Sequence, residues 1–172
     1  MNAITVMGID LANRVFHAYG VDSSGKSIVR KKLSRKDLMR FIANTTPCLI
    51  GVEACGGANY WVREFEKHGH TVKMMPPQYV KPYVKTNKND FNDAEAICEA
   101  IQRPNMRFVP KKSIEQQDVQ MLHRIRQRLV AARTALVNEA RGLLAEYGII
   151  IGRGVGRFQH AIIEIIGDEN NK

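Results

Sequence analysis

The fold is decided by residues 3–11, which read Ala3-Ile4-Thr5-Val6-Met7-Gly8-Ile9-Asp10-Leu11. Both alternating sets of side chains in this stretch are almost wholly apolar, as in a strand with neighbours on both faces. The stretch closes on a carboxylate, Asp10. We therefore expect a central strand of a sheet that is covered on both sides, with Asp10 at the end of the strand.

The elements that follow alternate in type. Residues 14–21 and 26–33 alternate loosely around Asp22-Ser23-Ser24-Gly25, which is typical of a β-hairpin. The remaining patterns predict a helix from Ser34 to about Asn44, a strand 48–53, a helix between Gly57 and Gly69, a strand 71–75, a lysine-bearing connection 79–89 and a helix 90–102. This order predicts an α/β fold with a mixed sheet and flanking helices.

A long helix is predicted after this sheet region. Residues 113–147 contain no proline, and their apolar residues recur at a period close to 3.5. That period indicates a coiled-coil seam that pairs with another helix. The alternative is a helix that packs back on the sheet region. The seam positions are Leu122, Ile125, Leu129, Ala132, Leu136 and Leu143.

Composition limits the class of protein. The 172 residues are 44% apolar and 25% charged, which excludes collagen and wholesale disorder. No apolar run is long enough for a membrane span, so no membrane partner is expected. Three cysteines without a CxxC spacing suggest a reduced, cytosolic protein. The net charge of +9 suggests a polyanionic partner such as nucleic acid.

Four carboxylates stand at the ends of predicted elements. Asp10 and Glu53 end two apolar strands, and Asp90 and Asp93 share one face in the first turn of the helix 90–102. If the four converge, their repulsion requires divalent cations, and two such ions can clamp the oxygens of a phosphodiester. The alternatives are an acidic, solvated helix face and helix capping by Asp90 and Asp93.

Basic residues near these carboxylates are candidate nucleic-acid contacts. Lysines between residues 79 and 89 are interleaved with tyrosines and would contact phosphates. Arginines lie mostly off the seam of the long helix. The predicted nucleic-acid-binding residues are Lys81, Lys85, Lys88, Arg124 and Arg128.

Other reactive residues are weaker candidates. Cys55 beside two glycines resembles a nucleophile, but no base follows it, and a small buried residue is the preferred interpretation. His68 and His70 lack the further ligands that a metal site needs.

Three motifs resemble those of a known family. They are Gly8-Ile9-Asp10-Leu11-Ala12, Val52-Glu53-Ala54-Cys55-Gly56-Gly57 and Lys88-Asn89-Asp90-Phe91-Asn92-Asp93-Ala94. They are similar to the signatures of the DEDD transposases of the one-hundred-and-ten family of bacterial insertion sequences, relatives of Piv-type DNA invertases. The resemblance implies a RuvC-like, ribonuclease-H-type fold. It also implies a catalytic and metal-binding tetrad of Asp10, Glu53, Asp90 and Asp93 that holds Mg²⁺, with Mn²⁺ as substitute and two ions expected.

The resemblance also implies partners and a domain plan. It implies DNA cleavage and strand transfer, a structured guide RNA, and a homo-oligomer, dimer or tetramer, formed through residues 113–147. We expect a catalytic domain over 1–110, a coiled coil over 111–147 and the start of a truncated C-terminal region over 148–172, since family members carry a later serine domain and the last serine here is Ser113. The expected location is the bacterial cytoplasm at the nucleoid. The alternative function is a non-catalytic fragment that binds nucleic acid and oligomerises.

Overall fold

A computed structural model describes residues 3–85 and 90–168, and it describes Asp90 by its backbone alone. The chain divides into two compact units, Met1–Lys112 and Ser113–Lys172. The predicted division of the chain at residues 110 and 147 stays a prediction.

The strands of the first unit form one mixed sheet in the order β3-β2-β1-β4-β5. The hairpin strands pair antiparallel, whereas β1, β4 and β5 run parallel to one another. The apolar strand β1 is therefore central, as its sequence predicts. The bounds are β1 Val6–Asp10, β2 Val15–Val21, β3 Ser27–Ser34, β4 Leu49–Glu53 and β5 Thr71–Met75.

Helices cover both faces of this sheet. Side chains of one face, such as Ile9 and Phe16, form a core with α1 and α2. The opposite face packs on α4, which crosses β1 so closely that Gly8 leaves no room for a side chain. The bounds are α1 Arg35–Ala43, α2 Ala58–Lys67, α3 Pro77–Val80 and α4 Asp90–Ala100, with a 3-10 turn at Lys81–Tyr83.

Local sequence explains where these helices begin and end. The Ser34 hydroxyl caps α1 by accepting a hydrogen bond from the Asp37 backbone N–H. Gly57 and Gly69 flank α2 with φ of 86° each, in the left-handed region that favours glycine. The connection predicted over 79–89 is wrong in its first part, because Pro77 begins the short helix α3. Proline is well suited to the first position of a helix, where its missing N–H is not needed.

The described part of the second unit, residues 113–168, contains two helices, α5 Ile114–Glu146 and α6 Val155–Gly167, which contact each other. Ser113 and Gln116 form a capping box at the start of α5. The long helix was predicted, whereas α6 was not. The seam leucines of α5 are exposed, at 67% for Leu122, 65% for Leu129 and 66% for Leu136.

The fold class is confirmed as α/β. The mixed five-stranded sheet, its flanking helices and the long α5 are consistent with the RuvC-like architecture that the resemblance implies. None of the helices in the described ranges combines the length and the apolar character of a membrane span.

Candidate active site

Asp10 and Glu53 lie at the carboxyl ends of two neighbouring strands of the sheet. They are the last residues of β1 and β4, which run parallel with Ile9 beside Val52. Strands in parallel register end side by side, so the two carboxylates are neighbours. The Asp10 side chain is 25% exposed and Glu53 is half-buried, which leaves both accessible from the carboxyl ends of the strands.

Asp93 joins this pair from α4. Partial burial raises the pKa of Glu53 above its usual value, and the negative charges of Asp10 and Asp93 raise it further. Charges repel in this way only when they lie close together. The structure therefore brings three of the four predicted acids into one neighbourhood.

Close packing of α4 on β1 positions the acidic first turn of this helix. A side chain on Gly8 would stand 2.1 Å from the Ala94 carbonyl oxygen, so the helix and strand backbones are in direct contact there. Asp90 is the first residue of α4. Its side chain lies outside the described part of the chain, and so its place in the tetrad stays a prediction.

A cavity of about 280 Å³ opens beside the acids. Glu53, Asp93 and Lys81 line it together with apolar residues, including Val80 and Ile97. A cation and two carboxylates thus face the same space. This geometry suits a ligand that carries negative charge and is accompanied by cations.

The donor set suits Mg²⁺ in its chemistry, since carboxylate oxygens are the ligands that hard divalent cations prefer. Among the residues with described side chains, no three His, Cys, Asp or Glu side chains stand at the spacing that would hold one metal ion together. The acids are close enough to repel one another without closing on a single point.

The predicted nucleic-acid contacts have different outcomes. Lys81 lines the cavity, whereas Lys85 forms an ion pair with Glu95 of α4 at 2.5 Å between Nζ and Oε1. Lys88 lies outside the described residues. Arg124 and Arg128 are exposed on α5 in the second unit. Their role in binding nucleic acid stays a prediction.

His17 was missed at this site. It lies on β2 directly opposite Asp10, and its Nδ1 is 4.0 Å from the Asp10 carboxylate. The ring is buried and meets the Phe91 ring of α4 edge-on, with centroids 4.8 Å apart. The sequence contains a signal for this pairing. A hairpin with a two-residue turn at Asn13 and Arg14 would place His17 directly opposite Asp10.

Two other reactive side chains, Cys55 and His70, have clearly different surroundings. Cys55 is exposed rather than buried, because Gly56 and Gly57 leave open space beside it. Loss of hydration around its sulfur, followed by the charges of Glu53 and Asp10, raises the pKa of its thiol, which disfavours the nucleophilic thiolate. His70 is buried, and its Nε2 lies 3.2 Å from the Ile42 carbonyl oxygen, so it links elements of the core.

Comparison with known proteins gives one consistent result. A family model described as "Transposase", for DEDD transposases of the IS110 type, matches residues 7–149. A "Probable family 20 transposase" of Pseudomonas aeruginosa is 52% identical over 160 residues, covering 93% of this chain and 47% of that protein. The transposase for insertion sequence element IS1111A of Coxiella burnetii is 48% identical over 169 residues, covering 98% and 46%.

A third relative agrees with these two. The transposase for insertion sequence element IS1328 of Yersinia enterocolitica is 43% identical over 155 residues, covering 90% of this chain and 46% of that protein. The fold and the site define an α/β protein with acidic residues at the ends of parallel strands. The chain belongs to the DEDD transposase family of the IS110 type. It spans about half the length of the curated relatives it matches.

Proposed function

We propose that this chain is the catalytic part of a DNA transposase that cleaves and transfers phosphodiester bonds with divalent metal ions. The observation that carries the proposal is the placement of three acids: Asp10 and Glu53 end the neighbouring parallel strands β1 and β4, and Asp93 of α4 lines the same cavity as Glu53. Acids that are brought together against their repulsion are a common mark of a functional site.

The residues that would hold Mg²⁺, or Mn²⁺ in its place, are Asp10, Glu53 and Asp93, with Asp90 added from the motif. Two bound cations would supply activation of the attacking oxygen and stabilisation of the leaving oxygen. The protein contributes the fixed strand ends that position Asp10 and Glu53, and the helix α4 that brings Asp93 to them. Lys81 would contact a phosphate of the strand in the cavity.

The proposed partners follow from family and charge. DNA is the proposed substrate, a structured guide RNA is the proposed specificity element of the whole protein, and the bacterial cytoplasm at the nucleoid is the proposed location. Assembly is proposed to occur through residues 113–147. The exposed leucines of α5 support this, because a stripe of apolar side chains gains about 25 cal/mol per Å² when a partner helix covers it.

Nicking of branched or single-stranded DNA tests the proposed reaction. We expect the 172-residue chain to nick such DNA in Mg²⁺ or Mn²⁺, and Asp10→Asn to abolish nicking while the protein stays folded. Asp118→Asn is the matched control, since it removes one exposed acid from α5. Nicking by the Asp10→Asn variant at the wild-type rate would contradict the proposed role of the acids.

The second candidate is a non-catalytic fragment that binds nucleic acid and oligomerises. The exposed seam of α5 favours it, since assembly needs no active site. DNA binding that survives Asp10→Asn, with no cleavage by the wild type in either metal, would support this function over the first.

A further inference from the structure

The edge strand β3 carries charge that the proposed site does not use. Residues Lys26 to Arg40 hold seven basic residues and one acid, and β3 forms one outer edge of the sheet. Arg30, Lys31 and Lys32 are consecutive and exposed in the middle of this strand. Consecutive residues of a strand point to opposite faces, so Arg30 and Lys32 share a face and Lys31 occupies the other.

The register connects that face to the carboxylates. Lys32 pairs with His17, and His17 pairs with Asp10 on the next strand. Residues directly opposite each other in antiparallel strands share a face of the sheet. Lys32 is therefore on the face of Asp10, two strands away, which is roughly 10 Å between backbones.

Ring contacts give an independent check of this placement. The Arg30 guanidinium lies over the Phe91 ring, 4.9 Å from its centroid, and Phe91 belongs to the first turn of α4. Lys31 instead lies over the ring of Phe41, in α1 on the opposite face. Arg30 and Lys32 thus lie on the α4 side, where the acids are.

We propose that Arg30 and Lys32, called here the β3 strip, bind the phosphate backbone of the DNA strand that leads away from the carboxylate site. The proposal rests on the proposed function, because it takes DNA as the occupant of that site. Lys81 follows β5 in the chain and lines the cavity beside Glu53 of β4, whereas the β3 strip is separated from Asp10 by β2. A strand crossing the acids would therefore meet cations before and after them.

The distance fits such a strand. One bound strand can reach both the acids and the β3 strip, because their separation of roughly 10 Å is only about three times the axial rise per base pair of duplex DNA. Exposed Arg and Lys side chains reach phosphates without reading bases. The β3 strip would therefore fix the path of the strand and add no sequence preference.

Protection of the sheet edge is the ordinary explanation for charge on β3. Lysines on an edge strand discourage pairing between sheets. That explanation applies to Lys31 as much as to Lys32, because both are exposed on the same strand. The two explanations therefore differ in which face of β3 affects DNA binding.

The experiment compares two double variants of equal charge. Arg30→Gln with Lys32→Gln removes the β3 strip, and Lys31→Gln with Lys36→Gln removes two exposed cations from the α1 side. Binding of a short fluorescein-labelled DNA duplex, and of an RNA duplex of the same sequence, is measured by anisotropy in Ca²⁺ over a range of salt. Lys32→Gln alone, which breaks no ring contact, guards against a local effect on Phe91.

We expect removal of the β3 strip to weaken DNA binding roughly tenfold or more near 0.1 M salt and to reduce the salt slope by roughly 1 to 2. Lys32→Gln alone should give about half the change in slope, and the Lys31/Lys36 variant should match the wild type. Equal losses in both double variants, or no loss in the strip variant, would overturn the proposal. Loss of RNA binding alone would overturn the choice of DNA.

The outcome is separable from that of the proposed function. Failure of the proposed function appears as absent nicking by the wild type, whereas failure of this inference appears as equal binding by the two double variants. A strip-specific loss of DNA binding in a protein that does not nick DNA would support the strip and contradict only the reaction.

Discussion

Replacing Gly8 by alanine tests how α4 is held on the sheet. The new Cβ would stand 2.1 Å from the Ala94 carbonyl oxygen and 2.4 Å from the Cys98 backbone nitrogen. Ordinary van der Waals contact begins at 3.4 Å, so the shorter separation falls about 1.3 Å short. Both atoms belong to helix backbone, which cannot rotate away as a side chain can. The helix must therefore move as a body.

The magnitude follows from the size of this movement. Overpacking of a core costs about 1–3 kcal/mol. A Cβ that is fixed to the strand and clashes with two backbone atoms of the helix belongs at the upper end of this range, about 3 kcal/mol. For a unit of this size we expect the melting temperature of Gly8→Ala to fall by roughly 10 °C or more. Because Asp93 moves with α4, we also expect Mn²⁺ to bind at least about tenfold more weakly.

Thermal unfolding followed by circular dichroism, with Mn²⁺ titration by calorimetry, measures both effects. Gly56→Ala is the matched control, since its added Cβ meets nothing within 4 Å, and we expect it to melt like the wild type. If Gly8→Ala melts within about 2 °C of the wild type, α4 does not press on β1 at this residue. The account of how Asp93 reaches the strand ends would then be refuted.

Three further predictions concern charge, assembly and the long helix. Burial, followed by the charges of Asp10 and Asp93, raises the pKa of Glu53 in the folded state, so its neutral form stabilises the fold at low pH and that contribution is lost as pH rises through the folded pKa. Without divalent ions, Glu53→Gln should therefore be more stable than the wild type at pH 7, by a margin that solvent screening keeps small. Thermal unfolding should show no difference between the two near pH 4. A less stable Glu53→Gln at pH 7 would contradict the repulsion. Leu129→Asp should lower the oligomeric state in light scattering, while the off-seam control Gln127→Asp should leave it unchanged, and equal masses for both would argue against the seam. Gly142→Ala, in open space within α5, should stabilise this helix by about 1 kcal/mol in circular dichroism melts, and a destabilised variant would mean that another segment packs there.

Much of the fold could be predicted because local signals agree with the tertiary structure. The apolar stretch at residues 3–11 predicts a central strand, and β1 is the middle strand of the sheet. Gly57 and Gly69 bound α2 in sequence and in structure. The proline-free stretch 113–147 predicts α5, and the structure shows that the Ser113 side chain caps its first turn.

Other elements could not be predicted from local patterns. Pro76 and Pro77 indicate a break, yet proline also starts helices, so α3 was missed. The same uncertainty applies to α6, which follows a glycine-rich stretch. Its first residue, Val155, comes directly after Gly154 with φ of 113°, a backbone conformation that sequence does not specify.

The acids of the candidate site could be predicted from the sequence, whereas the residues around them could not. Asp10, Glu53 and Asp93 stand at element ends, and parallel strands bring such ends together whatever the register of the outer strands. The neighbours His17 and Lys32 depend on the pairing of β1 with β2 and of β2 with β3, and that last pairing contains an irregularity at Gly20 and Val21. A one-residue shift in the pairing of β1 with β2 would place both side chains on the opposite face, and a shift in the pairing of β2 with β3 would do so for Lys32 alone.

The most direct test of the central claim is an anomalous-diffraction map of a crystal of this chain soaked in Mn²⁺. The account predicts a manganese peak at the carboxyl ends of β1 and β4, with side-chain oxygens of Asp10, Glu53 and Asp93 moved inward to within about 2.3 Å of the metal. A protein with these side chains ordered and turned away from one another, and with no manganese between them, would contradict it.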